Sequence, residues 1–216
     1  MNVVGKALDE LYRIFDILNR DKFNGELPEP VITIQKTRMN AYGWFTPDRT
    51  WRDKNNDKSE DTSYHEINID PRWFNSRTSS DIAETLLHEM CHYYNTVNGI
   101  KDCTGQNHNK KFKSCAERVG LVVEKGKGVG YGYTSMSEAL RAFMDEVVKP
   151  NDEAFEYFRT APVKPSGGGS RKKNLFKYTC PECGAEVKGK RDMTIKCGLC
   201  DVVMKMEDED ESEAED

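Results

Sequence analysis

The pentapeptide from His88 to His92 (H-E-M-C-H) constrains this chain more than any other feature. On an α-helix each residue turns by about 100°, so the two histidines lie about 40° apart on successive turns and can reach one metal ion. Glu89 lies to one side of that ion, where a carboxylate can accept a proton from a water molecule. The pattern predicts zinc on a helix over residues 82–97, with an open coordination position, as in catalytic sites. The alternative is an ordinary amphipathic helix whose polar face carries two histidines.

A third protein ligand has to come from another part of the chain. Asn95 and Asn98 stand where the extended H-E-x-x-H pattern needs glycine and histidine, so that subclass is excluded. Two candidates remain, Glu117 on the next predicted helix and His108 in a polar loop that leads into that helix. His108 is the stronger candidate, because such a loop can bring an imidazole over the metal.

Four of the seven cysteines form two C-x-x-C pairs, Cys180 with Cys183 and Cys197 with Cys200, and thirteen residues separate the pairs. In a chain without a secretory signal, this spacing predicts metal binding rather than disulfides. Four thiolates make a closed, structural zinc site. A module of about 30 residues buries too little apolar surface to fold unaided, so the ion is expected to supply its stability.

Basic and aromatic residues accompany these cysteines. Residues 171–200 contain eight lysines and arginines against three acids, whereas the last ten residues contain eight acids. Cations can neutralise phosphates, and aromatic rings can stack on the bases of a single strand. The candidate nucleic-acid contacts are Lys172, Lys173, Phe176, Lys177, Tyr178, Lys188, Lys190 and Arg191. We expect DNA, in single-stranded form, as a partner; the alternative is a structural or protein-docking module with a solvated basic face.

Composition argues against a membrane or exported protein. No stretch of the 216 residues approaches the roughly 18 consecutive apolar residues of a membrane helix. The first residues lack the apolar run of a secretory signal. We therefore expect a cytoplasmic protein with no membrane partner, associated with the nucleoid if the source is bacterial or phage.

Charge and glycine content divide the chain into four segments. We predict a main domain over residues 1–161, a flexible linker over 162–173, a zinc ribbon over 174–204 and a disordered acidic tail over 205–216. Apolar periodicity and capping residues predict helices over 3–19, 82–97, 110–119 and from Ser135 to 148, strands over 31–34, 41–45 and 64–70, and a glycine-rich loop over 126–132.

Several segments resemble the SprT-like metallopeptidase family, whose best-understood relatives are the Spartan proteases. They are F-N-G-E-L-P at 23–28, H-E-M-C-H at 88–92, N-G-I-K-D at 98–102 and G-Q-N-H-N-K-K-F at 105–112. The resemblance spans about residues 8–125. It implies an α+β zincin-like domain and then a zinc ribbon. Zinc would be bound by His88, His92 and His108, with Glu89 as the catalytic glutamate of a DNA-dependent peptidase.

These patterns together predict a zinc-dependent endopeptidase with two zinc ions per chain, acting on DNA-associated or DNA-crosslinked proteins. The alternative is a non-catalytic zinc-containing nucleic-acid-binding or transcription-associated protein. Two further expectations concern the substrate. Tyr131 or Tyr133 is a candidate for oxyanion stabilisation, and the strand over 64–70 is expected to offer a free edge to the substrate peptide.

Overall fold

The computed structural model describes residues 2–37, 41–53, 63–160 and 175–206. The chain divides into two compact units, residues 1–161 and residues 162–216. The predicted linker over 162–173, with Lys172 and Lys173, lies outside the described residues, as do residues 207–216 of the predicted tail. Within the described segments, no helix is long and apolar enough to cross a bilayer.

The first unit begins with a long amphipathic helix and a three-stranded sheet. The elements are α1 (Val3–Lys22), β1 (Val31–Ile34), β2 (Gly43–Arg52), β3 (Ser63–Ile69) and α2 (Ser79–Val97). Strand β3 lies in the centre, parallel to β1 and antiparallel to β2. The expectation that this strand offers a free edge is therefore wrong, because both of its sides are paired. Strand β2 has β3 as its only partner among the described strands.

Helix α2 carries the H-E-x-x-H residues and packs on one face of this sheet. It begins at Ser79, three residues earlier than predicted. The side chain of Thr78 accepts a hydrogen bond from the backbone N–H of Asp81, and the Asp81 carboxylate accepts one from Thr78, so the two form a capping box. The apolar side of α2, with Leu86, Leu87 and Met90 fully buried, lies in the main core.

A second, four-stranded sheet follows α2. Its elements and the helix between them are β4 (Cys103–Thr104), β5 (Asn107–His108), α3 (Lys110–Arg118), β6 (Leu121–Gly126) and β7 (Gly130–Met136), in sheet order β4-β5-β7-β6. The glycine-rich segment 126–132 was expected to be a loop. Instead, Gly126 pairs with Gly130 to close a β-hairpin, and the chain continues directly into β7. Gly128 in the turn and Gly130 at the start of β7 both have positive φ, which glycine adopts at little cost.

The unit ends with helix α4 (Glu138–Phe143), a π-helical turn over Met144–Val148 and a 3₁₀ turn over Asp152–Phe155. Ser137 caps α4, not Ser135 as expected. The terminal segment is fastened to the core, because Asn151 donates its backbone N–H to the Glu10 carboxylate at 2.9 Å and Ser79 donates its backbone N–H to Asp152 at 2.8 Å.

The described part of the second unit is a small three-stranded sheet. Its strands are β8 (Phe176–Thr179), β9 (Glu186–Gly189) and β10 (Lys205–Met206), in the order β10-β8-β9. Lys205 and Met206 pair with Thr179 and Tyr178, so these two residues belong to the folded module and not to the acidic tail predicted from 205 onwards. The two units together give an α+β protein, which confirms the predicted fold class.

Candidate metal centres

Three histidines from two parts of the first unit converge on one point. His88 and His92 lie on successive turns of α2, and β5 carries His108 towards them. Atom Nε2 of His108 lies 3.3 Å from Nε2 of His88 and 3.1 Å from Nε2 of His92. Ring nitrogens this close repel one another through their lone pairs unless a proton or a cation lies between them, so the arrangement is that of a ligand set.

Each ring is oriented through its other nitrogen, Nδ1. His92 donates to Asp102 Oδ2 at 2.8 Å, and His108 donates to the carbonyl oxygen of Val129 at 3.0 Å. His88 donates to Thr134 Oγ1 at 3.1 Å, and that hydroxyl donates in turn to Glu84 Oε1 at 3.2 Å. Because Nδ1 is the donor in all three rings, each Nε2 presents its lone pair to the common point.

The spacing fits zinc. Zinc–nitrogen bonds of about 2.0–2.1 Å at tetrahedral angles separate two ligand nitrogens by about 3.3–3.4 Å. The two Nε2 separations measured from His108 are 3.3 and 3.1 Å. The donor set, three imidazoles with their opposite nitrogens hydrogen-bonded, is also the set that zinc prefers. His88, His92 and His108 are therefore able to hold a metal ion.

The aromatic ring of Phe112 forms the floor of the site. Its centroid lies 4.7 Å from that of His88 and 4.5 Å from those of His92 and His108, and the residue is fully buried. Burial lowers the pKa of His88 and of His108, which favours the neutral, metal-ligating form. His92 differs: burial lowers its pKa, but hydrogen bonds with Asp102 and Cys103 raise it to about 10, so a metal ion has to displace a proton there.

Glu89 lies beside this cluster, almost fully buried. Burial raises the pKa of its carboxyl to about 7, against the opposing effects of His92 and of a hydrogen bond from the Phe45 backbone. Strand β2 passes close by at Gly43, where a Cβ atom would lie 2.7 Å from the Asn68 carbonyl oxygen and 3.3 Å from Glu89 Oε1. The absence of a side chain at this position lets the strand approach the glutamate.

The alternative ligand and one of the two oxyanion candidates lie elsewhere. Glu117 is exposed on α3 and forms an ion pair with Lys113 at 3.5 Å, so it is not part of the cluster. Side chains alternate along β7 from Tyr133 onwards, and Thr134 faces the histidines, so Tyr133 lies on the opposite face and the expectation that it stabilises an oxyanion is wrong. The pairing of β6 with β7 shifts register before Tyr133, so the same argument does not apply to Tyr131, whose role stays a prediction.

Sequence reasoning missed most of the groups that surround the ligands. Asp102 and Phe112 were part of the family resemblance, but no role was assigned to either. Thr134 is 46 residues away from His88 in the chain, and no local pattern connects the two. Glu84 lies one helical turn before His88, so helical periodicity places it on the same face, but no role was assigned to it. A histidine that binds metal through one ring nitrogen needs a hydrogen-bond acceptor for the N–H of the other. A search of the sequence for such acceptors could have found these groups.

The second unit brings the four cysteines of the two C-x-x-C pairs together. The ligand atoms of Cys180, Cys183, Cys197 and Cys200 all lie within 4.8 Å of one another. The sulfurs of Cys183 and Cys197 are 3.6 Å apart, and zinc–sulfur bonds of about 2.3 Å predict about 3.8 Å. Four thiols with no other ligand type fit a closed zinc site.

The candidate nucleic-acid contacts of this unit differ in how exposed they are and in which residues they contact. Lys188, Lys190 and Arg191 are exposed, and Lys177 forms an ion pair with Glu186 at 2.6 Å. Phe176 is half-buried, and the Arg191 guanidinium lies 5.2 Å from its ring centroid.

Tyr178 does not fit the role assigned to it. Its side chain is buried in the small core beside Cys180 and Cys197. Its hydroxyl donates to the Lys190 carbonyl at 2.6 Å and accepts from the Met193 N–H at 2.9 Å. The expectation that it stacks on bases is therefore wrong, because its ring has no exposed face to offer.

A helix with H-E-x-x-H, a third histidine from a following strand and an adjacent buried glutamate define a metallopeptidase-like domain. The model of the SprT-like family matches residues 11–131, more than half of the chain, and the chain belongs to that family. The match confirms the resemblance and ends before the cysteine module. No significant match was found among curated proteins or among solved structures.

Proposed function

We propose that this protein is a zinc-dependent endopeptidase that cleaves DNA-associated or DNA-crosslinked proteins, with His88, His92 and His108 as zinc ligands and Glu89 as the catalytic glutamate. The observation that supports it best is the convergence of three oriented imidazoles next to a buried carboxylate. A structural zinc site needs no such carboxylate, and this favours the enzyme over the non-catalytic alternative.

The chemistry divides between the ion and the chain. Zinc, when bound, lowers the pKa of water and polarises a peptide carbonyl. Glu89 accepts the proton of the attacking water and passes it to the nitrogen of the leaving amine. Asp102 and Thr134 hold the imidazoles of His92 and His88 in the tautomer that binds metal.

The substrate would bind as an extended chain along β2. This strand is paired with β3 on one side only among the described strands, and its Phe45 backbone hydrogen-bonds to Glu89. Peptides often add to an exposed edge by main-chain hydrogen bonds, which recognise no particular side chains. We therefore propose broad sequence tolerance, with selection exerted by DNA that holds the target protein close.

The decisive experiment compares the wild type with Glu89→Gln and, as a matched control, Glu29→Gln at an exposed position. The assay follows cleavage of a DNA-bound protein and self-cleavage, with and without single-stranded DNA. Glu89→Gln should retain zinc and DNA binding and lose cleavage by about 10²- to 10⁴-fold, because general-base catalysis is removed. Equal cleavage by wild type and Glu89→Gln would reject the enzyme, and cleavage that ignores DNA would reject the DNA dependence alone.

A further inference from the structure

The edge of β2 that does not pair with β3 faces Glu89. Just before the strand, the carbonyl oxygen of Tyr42 accepts a hydrogen bond from the Asp70 N–H at 2.8 Å. The main-chain groups of successive strand residues point to opposite sides, so those of Gly43 and Phe45 point away from β3. The Phe45 backbone hydrogen-bonds to Glu89 on that side. The main chain of Gly43 is therefore directed to the edge along which the substrate is proposed to lie.

The next turn of α2 lies beside this edge. Glu84 and Thr85 come one helical turn, or about 5.4 Å, before the first histidine and the glutamate of H-E-x-x-H. A Cβ atom on Gly43 would lie 3.1 Å from Cγ2 of Thr85. The Glu84 carboxylate accepts a hydrogen bond from Thr134 of β7 at 3.2 Å. A peptide that follows β2 away from Glu89 reaches this turn of the helix next.

Arg77 is held at this turn by a neutral hydroxyl and an aromatic ring. Its Nη1 donates to Thr85 Oγ1 at 2.6 Å, and its guanidinium carbon lies 4.0 Å from the ring centroid of Tyr42. Thr85 is buried, Arg77 is half-buried and Tyr42 is exposed. In the described part of the chain Arg77 forms no ion pair. A guanidinium has five N–H donors, so the positioned Arg77 has donors left for a further acceptor.

The acids near Arg77 are engaged by other groups. Burial raises the pKa of the Glu84 carboxyl, and the positive charges of Arg77 and Arg141 oppose this rise. The Glu84 carboxylate is bonded to Thr134, and Asp81 is engaged in the capping box of α2. The guanidinium of Arg77 therefore lies at the substrate edge without a carboxylate in contact with it.

We infer that Arg77 binds the carboxylate of an aspartate or glutamate in the substrate and gives the peptidase a preference for an acidic residue near the scissile bond. The inference rests on the proposed function and names a feature of its substrates. A guanidinium can bind a carboxylate through two parallel hydrogen bonds, which a glutamine or lysine side chain cannot reproduce. An extended chain advances about 3.3 Å per residue, so one helical turn from Glu89 corresponds to one or two substrate residues.

The test uses the zinc-loaded full-length protein with single-stranded DNA and a library of peptides from a digested proteome. Mass spectrometry of the products identifies the cut sites, and acidic residues should be enriched at one position within about two residues of the cut. Two matched peptides, with Glu or Gln at that position, then measure the preference. The kcat/KM should favour the Glu peptide by about tenfold, chiefly through KM, because the carboxylate is bound in the ground state as well.

Three substitutions and a control separate recognition from stability. Arg77→Gln should cleave both peptides as the wild type cleaves the Gln peptide, and Arg77→Lys should keep part of the preference. Arg77→Glu should favour a Lys peptide over the Glu peptide, which a merely structural role of Arg77 would not produce. The matched control is Arg20→Glu, the same charge change at an exposed position on α1, and it should keep the wild-type preference.

The outcomes distinguish this inference from the proposed function. Wild-type cut sites without acidic enrichment would overturn the inference and leave the peptidase standing. The same holds if Arg77→Gln and Arg77→Glu cleave all peptides more slowly but keep the wild-type preference, because Arg77 would then only support the fold. If the wild type cleaves no peptide at all, the peptidase is rejected and this inference with it.

Discussion

At the scale of single residues, the candidate metal centre is defined by three different acceptors for three histidine protons. A carboxylate serves His92, a hydroxyl serves His88 and a backbone carbonyl serves His108. The carboxylate hydrogen bond is charge-assisted and shorter than the other two, so it contributes most to orienting its ring. Only the carboxylate and the hydroxyl can be removed by substitution.

Asp102 is therefore the first residue to test. Asp102→Ala should lower zinc affinity by about 10- to 100-fold, because the ring of His92 loses its acceptor. Asp102→Asn, which keeps one acceptor oxygen, should lose less. Competition with a chromophoric chelator measures both affinities, and thermal melting shows whether the variants remain folded. Unchanged affinity in the alanine variant would show that Asp102 does not orient the ligand.

Thr134 allows a more direct test of the hydrogen bond, because one of two small substitutions removes its hydroxyl group and the other keeps it. Thr134→Val keeps the branched shape but leaves the Nδ1 proton of His88 without its acceptor, so zinc affinity should fall by about tenfold. Thr134→Ser keeps the hydroxyl and should bind zinc nearly as the wild type does. Equal losses in both variants would point to packing at β7 rather than to the hydrogen bond.

At the scale of elements, the site depends on how closely β2 and α2 approach each other. The strand has no side chain at Gly43, where it passes both Asn68 of β3 and Glu89 of α2. The backbone of Phe45, two residues further on, hydrogen-bonds to the same glutamate. One segment of β2 therefore positions Glu89 and, in the proposed function, the substrate peptide.

Gly43→Ala should disturb this arrangement. The added methyl group would lie 2.7 Å from a backbone oxygen that cannot move alone, so β2 has to shift away from β3 and α2. We expect a loss of about 1–3 kcal/mol in stability. Peptidase activity should fall while zinc content is retained, as measured by denaturant melts, cleavage rates and metal analysis. Gly198→Ala, where nothing lies within 4 Å of the new atom, is the control; wild-type stability and activity of Gly43→Ala would contradict the argument.

At the scale of the whole molecule, the two units differ in what holds them together. The core of the first unit combines α1, α2, α3 and both sheets. Among the described residues of the second unit, only four hydrophobic residues form a buried core, and two of them are the candidate ligands Cys180 and Cys197. We therefore expect the module to depend on a metal ion for stability, because its apolar burial is small.

Metal removal should therefore affect the stability of the two units differently. After treatment with a strong chelator, residues 175–206 should unfold, whereas the first unit should remain folded on its apolar core. Hydrogen exchange with mass spectrometry measures protection segment by segment. Cys197→Ser should give the same loss in the second unit without chelator. Protection of residues 175–206 in the metal-free protein would show that the fold does not need the ion.

Much of the candidate site could be predicted from the sequence because its main parts are local. Two histidines one helical turn apart face the same direction in any α-helix, and a C-x-x-C pair forms one turn in any zinc module. The structure brings together His88, His92 and His108, as the prediction required. The family and the α+β class were predicted on similar grounds.

Most of the remainder depended on packing between residues that are far apart in the chain. No sequence pattern showed that β3 would be paired on both sides. The burial of Tyr178 likewise follows from its packing with Cys197 and from its hydrogen bond to Lys190. The hairpin is different, because Gly126 and Gly130 are only four residues apart, and the same glycines were expected to form a loop.

The amino-acid sequence by itself determined which side chains can bind metal, since helical periodicity and turn spacing act over a few residues. Only the tertiary structure decided which groups support those ligands, which strand edge is free and which aromatic rings reach the surface. The physical reason is that Thr134, Asp102 and the edge of β2 acquire their roles from packing across the fold, and the free energy of such packing is not encoded in any short segment.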